Sequence, residues 1–192
     1  MKRLRRNELD VFCREAVDLL EAAGMPYLLI GGLAVIALGE PRATADIDVV
    51  GFASAEQAEA LVSRAAAAGF EVRPDVELER LRETGTLRFR RGPFQLDIIL
   101  ASLPFEDAAY TRSTRARLFG RKVPLPTPED LILFKVLAGR DKDIVDAIGI
   151  ARRHLPRLDR GYLEQSIQAI CDLAEDTAPW RRLGDVLRKA AT

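Results

Sequence analysis

The amino-acid sequence predicts an α+β protein in which a short mixed β-sheet flanked by helices is followed by a helical bundle. Two observations indicate this class. The first half alternates short apolar runs with amphipathic stretches and ends in a hairpin pattern, whereas the second half shows mainly helical periodicity. We therefore expect an α/β core at residues 1–104 and a mainly helical region at residues 105–192.

The first elements of the core follow from apolar spacing and glycine positions. Apolar side chains recur at helical spacing across residues 7–24, and Gly24 suits a C-terminal cap. The apolar run 27–30 is typical of a buried strand that stops at two glycines, and a helix is expected at 33–38. A second strand is expected at 46–50.

In the middle of the core, one segment has a clear sequence signal for secondary structure and two segments have weak ones. Ser54 followed three residues later by Gln57 is a capping-box pattern, which predicts a helix at 54–68. Residues 70–73 are consistent with a strand. The spacing of residues 76–83 fits neither the helical nor the strand period.

A β-hairpin closes the core. Residues 86–91 alternate apolar side chains with arginines, and residues 94–101 form a strongly apolar run. The Gly92–Pro93 pair between them is a turn signal. The polar, basic stretch that follows, 105–126, is expected to be irregular, with a short helix and a small strand.

The remaining chain is predicted to be helical. Thr127 and Pro128 match the preferences for the cap and first position of a helix, and acidic residues follow in its first turn. Four helices are expected, at 128–138, 143–154, 160–175 and 180–190.

Composition excludes several classes of protein. Hydrophobic residues make up 48% of the chain, and 29 basic residues balance 29 acidic ones, which excludes a disordered chain and a globally basic nucleic-acid binder. We read no signal peptide and no run of about 18 apolar residues, so we expect no membrane segment. Two distant cysteines, Cys13 and Cys171, form neither a disulfide framework nor a metal site, which favours a cytoplasmic protein.

Three aspartates are the candidate metal ligands. Asp46 and Asp48 share one face of their strand, because side chains two residues apart point the same way. Two neighbouring carboxylates repel each other unless a divalent cation or an arginine lies between them. Asp97 lies inside an apolar strand and also needs a partner. That partner is either a metal shared with the other two aspartates or one of the hairpin arginines, Arg88, Arg90 or Arg91.

A candidate phosphate site precedes these carboxylates. Gly31 and Gly32 join a strand to a helix, and backbone N–H groups at a helix N-terminus attract phosphate. Arg42 and Thr44 lie between the glycines and the aspartates. A phosphate cradle beside carboxylates that bind a metal ion suits phosphoryl or nucleotidyl transfer.

The same residues resemble a known family. Segments 31–34 and 42–48 resemble the signature of the nucleotidyltransferase superfamily with the polymerase-beta-like fold. Segments 128–135 and 140–146 resemble the later signature of its AbiEii-type toxin branch. The resemblance covers about residues 26–150.

The resemblance implies a role for each motif residue. Asp46, Asp48 and Asp97 would ligate Mg²⁺ or Mn²⁺, with Asp97 acting as ligand or as base on the acceptor hydroxyl. A nucleoside triphosphate would be the substrate. Its binding residues would be Gly31, Gly32, Arg42, Thr44 and Lys135, with Asp143 or Asp146 closing the site.

The acceptor is left open by the sequence. A basic stretch between the third carboxylate and Lys135 favours RNA or a protein, with a solvated loop as the alternative explanation; its members are Arg112, Arg115, Arg117, Arg121 and Lys122. Chain connectivity places this stretch near the rim of the expected cleft. The resemblance adds a toxin–antitoxin-like partner. The alternatives are an aminoglycoside-like small-molecule acceptor and a non-catalytic protein that binds a nucleotide or a partner.

Overall fold

The computed structural model describes residues 6–192, with side chains from residue 8 onwards. The helices are α1 (Arg6–Ala22), α2 (Gly31–Leu38), α3 (Ala55–Ala67), α4 (Pro74–Thr84), α5 (Pro104–Arg112), α6 (Pro128–Ala138), α7 (Asp141–His154), α8 (Arg160–Ala174) and α9 (Ala178–Ala190). The strands are β1 (Tyr27–Ile30), β2 (Asp46–Gly51), β3 (Thr86–Arg91), β4 (Phe94–Leu100), β5 (Thr114–Leu118) and β6 (Arg121–Leu125).

Four strands form a mixed sheet in the order β1-β2-β4-β3. The central strands β2 and β4 run parallel, and each pairs antiparallel with an edge strand. The register of the central pair places Asp48 beside Asp97 and Asp46 beside Gln95. The predicted α+β fold class with a short mixed sheet is confirmed.

The turn from β1 into α2 has no connecting loop. The four residues of β1 are all buried, and Gly31 is already the first residue of the helix. Gly31 has φ +68°, a conformation that costs a residue with a Cβ atom free energy. The glycine therefore lets the chain turn directly from the sheet edge into a helix whose N-terminus faces the end of β2.

The structure assigns both weak segments of the core. Residues 70–73 form no strand, contrary to the prediction, and an isolated bridge between Glu71 and Arg90 joins their backbone to the hairpin. The ambiguous segment 76–83 lies in helix α4. Its apolar spacing is irregular because a buried position is taken by Glu77, whose carboxylate accepts the backbone N–H of Arg88 at 2.7 Å.

The predicted irregular stretch 105–126 is largely regular. It contains α5 and a separate two-stranded sheet, β5–β6, in which β6 lies against β1. Arg121 at the start of β6 donates two hydrogen bonds to Asp18 of α1, at 2.8 and 2.9 Å. The hairpin is therefore attached to the β1 edge of the molecule.

One apolar core runs through both halves of the described chain. Its buried members extend from Phe12 in α1 to Ala190 in α9, and the C-terminal part rests on contacts of α7 and α6 with α9. The predicted division at residue 104 stays a prediction. In residues 6–192, no helix combines the length and apolar character needed to cross a membrane.

Candidate active site

A cleft of about 430 Å³ opens where the ends of β1, β2 and β4 face α6 and α7. Its charged lining comprises five acidic side chains, Asp46, Asp48, Asp97, Glu106 and Asp143, and five basic ones, Arg42, Arg88, Lys135, Arg140 and Lys142. The side of the cleft that carries the aspartates is therefore polar, and basic side chains of the protein line the same cleft as its carboxylates.

Asp48 is the central carboxylate of the cleft. It shares the solvent-facing side of β2 with Asp46, while Ile47 and Val49 are buried on the other side. Burial, the neighbouring carboxylate of Asp97 and that of Asp46 raise the pKa of Asp48 above 3.8, against the opposing effects of Lys135 and the Gly32 N–H. Crowded negative charge of this kind favours a cation.

The glycine pair accommodates neighbouring side chains of the cleft. A Cβ atom at Gly31 would overlap the Asp48 carboxylate, and a Cβ atom at Gly32 would lie 2.7 Å from the hydroxyl of Thr44. The Thr44 hydroxyl also accepts the backbone N–H of Asp46 at 3.4 Å. The glycines thus let the carboxylate strand and the 41–45 loop approach the N-terminus of α2.

Asp97 forms a bidentate ion pair with Arg88. Nε of Arg88 donates to Oδ1 at 2.7 Å, and Nη2 donates to Oδ2 at 3.1 Å. The amide of Gln95 donates to the same Oδ2 at 2.8 Å. Of the three arginine partners that the sequence left open for Asp97, the structure selects Arg88.

Lys135 is buried between two carboxylates of α7. Its side chain is 6% exposed, and its Nζ lies 3.1 Å from Asp143 and 3.3 Å from Asp146. Asp143 is fully buried and also receives the guanidinium of Arg140. Burial by itself raises the pKa of Asp143, but hydrogen bonds from Arg140 and Lys135 outweigh it and hold the pKa below 3.8.

Asp146 ties the 41–45 loop to this network. Its Oδ1 lies 3.2 Å from Nε of Arg42, and the side chain is 7% exposed. Arg42 also lies against Gly32, with its Nη2 3.0 Å from where a Cβ atom would be. Asp146 therefore lies behind the cleft wall and fixes the position of Arg42, which lines the cleft.

The residues present fit a divalent cation at one place. Among the described residues, the ion pairs of the cleft use Asp97, Asp143 and Asp146 but neither Asp46 nor Asp48. Carboxylate oxygens are the ligands that Mg²⁺ prefers. Burial and the carboxylates of Asp97 and Asp46 raise the pKa of Asp48, so a cation beside it would stabilise the ionised form. Within residues 6–192, no three Asp, Glu, His or Cys side chains are grouped so that they could hold a metal ion. Both oxygens of Asp97 are instead bound by Arg88.

An apolar wall faces the carboxylates. Ile99 follows Asp97 on the same face of β4, and the rings of Phe105 and Phe134 pack with centroids 4.9 Å apart. Leu103 and Phe105 also line an adjoining apolar cavity of about 230 Å³. The cleft therefore offers apolar contact beside its third carboxylate.

Most residues singled out from the sequence meet at this cleft. Those that line it are Gly31, Arg42, Thr44, Asp46, Asp48, Asp97, Lys135 and Asp143, while Gly32 and Asp146 lie directly behind. The sequence left Arg88 as one of three candidate partners of Asp97, and it missed the roles of Gln95, Arg140 and Lys142 and the whole apolar wall.

The basic stretch is not part of the cleft wall. None of the described residues 112–122 lines the cleft, so the expectation that chain connectivity places this stretch at the rim is wrong. Arg115 donates to the carbonyl of Lys122 at 3.2 Å within the β5–β6 hairpin. Arg112 lies over the ring of Tyr162 and pairs with the buried Asp130. These cations lie on other surfaces or have structural partners.

Comparisons with known proteins identify the fold. No family model and no curated protein sequence matches the chain. Among solved structures, an antigenic nucleotidyltransferase-like protein from Paracoccidioides brasiliensis has a TM-score of 0.54 at 20% identity, covering 96% of this chain and 94% of that one.

Two antibiotic-related structures are similar as well. The antibiotic-resistance factor ANT(2'')-Ia has a TM-score of 0.54 at 19% identity, over 76% of this chain and 83% of that one. The lincosamide antibiotic adenylyltransferase LnuA, with lincomycin bound, has a TM-score of 0.50 at 19% identity, over 73% and 94%. The chain therefore has the fold of nucleotidyltransferase-like structures. The finer resemblance to the AbiEii-type branch stays a prediction.

Proposed function

We propose that the protein is a metal-dependent nucleotidyltransferase, which transfers a nucleotide from a nucleoside triphosphate to an acceptor and releases pyrophosphate. The observation that carries this proposal is the register of β2 and β4, which places Asp48 beside Asp97, with Asp46 two residues away, in a cleft at the N-terminus of α2. The shared fold supports the same reaction class.

The three aspartates have distinct tasks in this proposal. Asp46 and Asp48 hold Mg²⁺ or Mn²⁺, and Asp97 is the third ligand or accepts the proton of the attacking hydroxyl. A divalent cation held by these carboxylates would supply charge neutralisation at the phosphates and alignment for attack on the α-phosphate. Burial, together with the neighbouring carboxylates of Asp97 and Asp46, raises the pKa of Asp48, and this is the electrostatic reason for a cation at this position.

The triphosphate binds to the cationic side of the cleft. The N-terminus of α2 at Gly31 and Gly32 offers backbone N–H groups, and Arg42 and Thr44 adjoin it. Lys135 contributes positive charge from α6. Asp143 and Asp146 position these cations by holding the amino group of Lys135 and the guanidinium of Arg42.

The acceptor has two candidate classes. RNA or a protein, with a toxin–antitoxin-like partner, is the first, although the basic stretch that favoured it does not line the cleft. The apolar wall of Ile99, Leu103 and Phe105 beside Asp97 favours a small molecule with apolar surface as the second. A non-catalytic protein that only binds a nucleotide is the alternative to both.

Transfer is tested by incubating the protein with each α-labelled nucleoside triphosphate, Mg²⁺ or Mn²⁺, and a panel of RNA, protein and antibiotic acceptors. We expect a labelled product and pyrophosphate with the wild type and neither with Asp46→Asn or Asp48→Asn. Asp172→Asn, which changes an exposed carboxylate on α8, is the matched control and keeps activity. Nucleotide binding without pyrophosphate release for any acceptor supports the non-catalytic alternative.

A further inference from the structure

Arg88 is the cleft cation whose contacts conflict with a complete metal site. It lies opposite Asp97 in the antiparallel register of β3 and β4, and its side chain is 36% exposed in the cleft. The guanidinium covers both carboxylate oxygens of Asp97. A cation that used Asp97 as a ligand would compete with the guanidinium for these oxygens, because it would bring a second positive charge to the same carboxylate.

The other contacts of Arg88 leave its side chain free to move. Its backbone N–H donates to Glu77 of α4, which anchors the strand independently of the guanidinium. Within the described chain, Asp97 is the hydrogen-bond partner of Nε and Nη2, and Nη1 has none. The guanidinium can therefore leave Asp97 without any change in the backbone of β3.

A triphosphate offers Arg88 an equivalent partner. Guanidinium groups bind phosphate and carboxylate oxygens with the same bidentate geometry, and phosphate brings the larger charge. The cleft that holds Asp97 is the one in which the triphosphate is proposed to bind. Release of Asp97 to a cation and capture of phosphate by Arg88 would therefore compensate each other.

We propose that Arg88 is a positioning residue that exchanges partners. It neutralises Asp97 until a divalent cation takes that carboxylate, and it then pairs with the phosphate oxygens of the nucleotide. This inference rests on the proposed function. Its consequence is a positive coupling, in which cation and triphosphate each favour binding of the other through one side chain.

The first test measures Mn²⁺ binding to the full chain without nucleotide, by electron paramagnetic resonance. Arg88→Gln should tighten Mn²⁺ binding about tenfold, because the cation no longer displaces a charge-assisted ion pair. Lys142→Gln removes one positive charge from the same cleft and should change the affinity less than about twofold, the effect of charge alone at a solvated site. A merely structural role for Arg88 would predict equal or weaker binding in Arg88→Gln.

A second measurement shows whether the effect passes through Asp97. In an Asp97→Asn background, Arg88→Gln should no longer tighten Mn²⁺ binding. With Mg²⁺ and a non-hydrolysable triphosphate, Arg88→Gln should weaken nucleotide binding about tenfold, the worth of a charged hydrogen bond. Arg82→Gln, which changes an exposed side chain of α4, should not.

The outcomes separate the two proposals. If Asp46→Asn and Asp48→Asn abolish Mn²⁺ binding but Arg88→Gln leaves it unchanged, the partner exchange is overturned and the proposed function stands. If Arg88→Gln tightens Mn²⁺ equally in the Asp97→Asn background, the effect is general electrostatics and the exchange is also overturned. If neither the wild type nor Arg88→Gln binds Mn²⁺, the proposed function fails and the inference fails with it.

Discussion

The carboxylate of Asp48 occupies the space that a side chain at Gly31 would need. The two residues belong to different elements, since Gly31 begins α2 and Asp48 lies in the neighbouring strand β2. The backbone N–H of Gly32 lowers the pKa of the same carboxylate. The N-terminus of α2 and the carboxylate strand therefore depend on each other for their positions.

This contact predicts the effect of Gly31→Ala. The methyl group would overlap Asp48, and a positive φ adds its own cost of about 1–2 kcal/mol for a residue with a Cβ atom. We expect the free energy of unfolding in urea to fall by about 3 kcal/mol or more, the range of buried overpacking added to backbone strain. Nucleotide transfer should be lost in the folded fraction.

Gly85 supplies the matched control. It has φ +65°, close to that of Gly31, but nothing lies within 4 Å of its missing Cβ atom. Gly85→Ala should therefore show the backbone cost alone, about 1–2 kcal/mol. Equal losses of unfolding free energy in the two variants would mean that Asp48 moves away from residue 31 without cost. That result would contradict the close packing of Asp48 against Gly31.

Asp48→Asn should stabilise the protein in metal-free buffer while abolishing transfer. The pKa of Asp48 is raised in the folded protein, so ionisation of this carboxyl group favours the unfolded chain. The stabilising effect of the protonated carboxyl group is complete below pH 3.8 and is lost as the pH rises through the raised pKa. Near neutral pH, the amide should raise Tm, by about 2–4 °C for each kcal/mol recovered. A melting temperature below that of the wild type would show that the carboxylate stabilises the fold.

Asp143 should show the opposite pH dependence. Hydrogen bonds from Arg140 and Lys135 hold its pKa below 3.8, so its contribution to stability is present above that pH and is lost as the pH falls through the lower value. Asp143→Asn leaves two cations with fewer partners and should cost about 3 kcal/mol near pH 7. In urea unfolding, the difference from wild type should shrink below pH 3.8, whereas a constant difference would assign the loss to packing.

The sequence predicted the carboxylate face and the fold class because both depend on short-range patterns. The two-residue period of a strand was enough to place Asp46 and Asp48 on the same face. Ser54 and Gln57 form the capping box as predicted. Counting back from the two-residue turn at 92–93 also pairs Arg88 with Asp97, so the register already contained a signal for this ion pair.

What the sequence did not predict depends on tertiary packing. The Asp143–Lys135 contact joins two helices, and no spacing rule fixes how α6 and α7 lie against each other. The apolar wall combines Ile99 of β4 with Phe134 of α6, which are distant in the chain. The basic stretch was misplaced because nearness in sequence to Lys135 says nothing about the side of the sheet on which β5–β6 packs.

The position of the β5–β6 hairpin predicts that its arginines have little effect on nucleotide transfer. Arg115 and Arg117 lie on β5, outside the residues that line the cleft, whereas Lys142 lines it. If the acceptor reacts in the cleft and contacts only its walls, Arg115→Glu with Arg117→Glu should leave kcat/KM and its salt dependence within about twofold of wild type, as for surface changes generally. Lys142→Glu should lower kcat/KM for triphosphate about tenfold, because a reversed charge repels phosphate within the cleft. A flattened salt dependence in the hairpin variant with an RNA acceptor would instead show that a polyanion extends from the cleft to the β1 edge, since fewer counterions would then be released on binding.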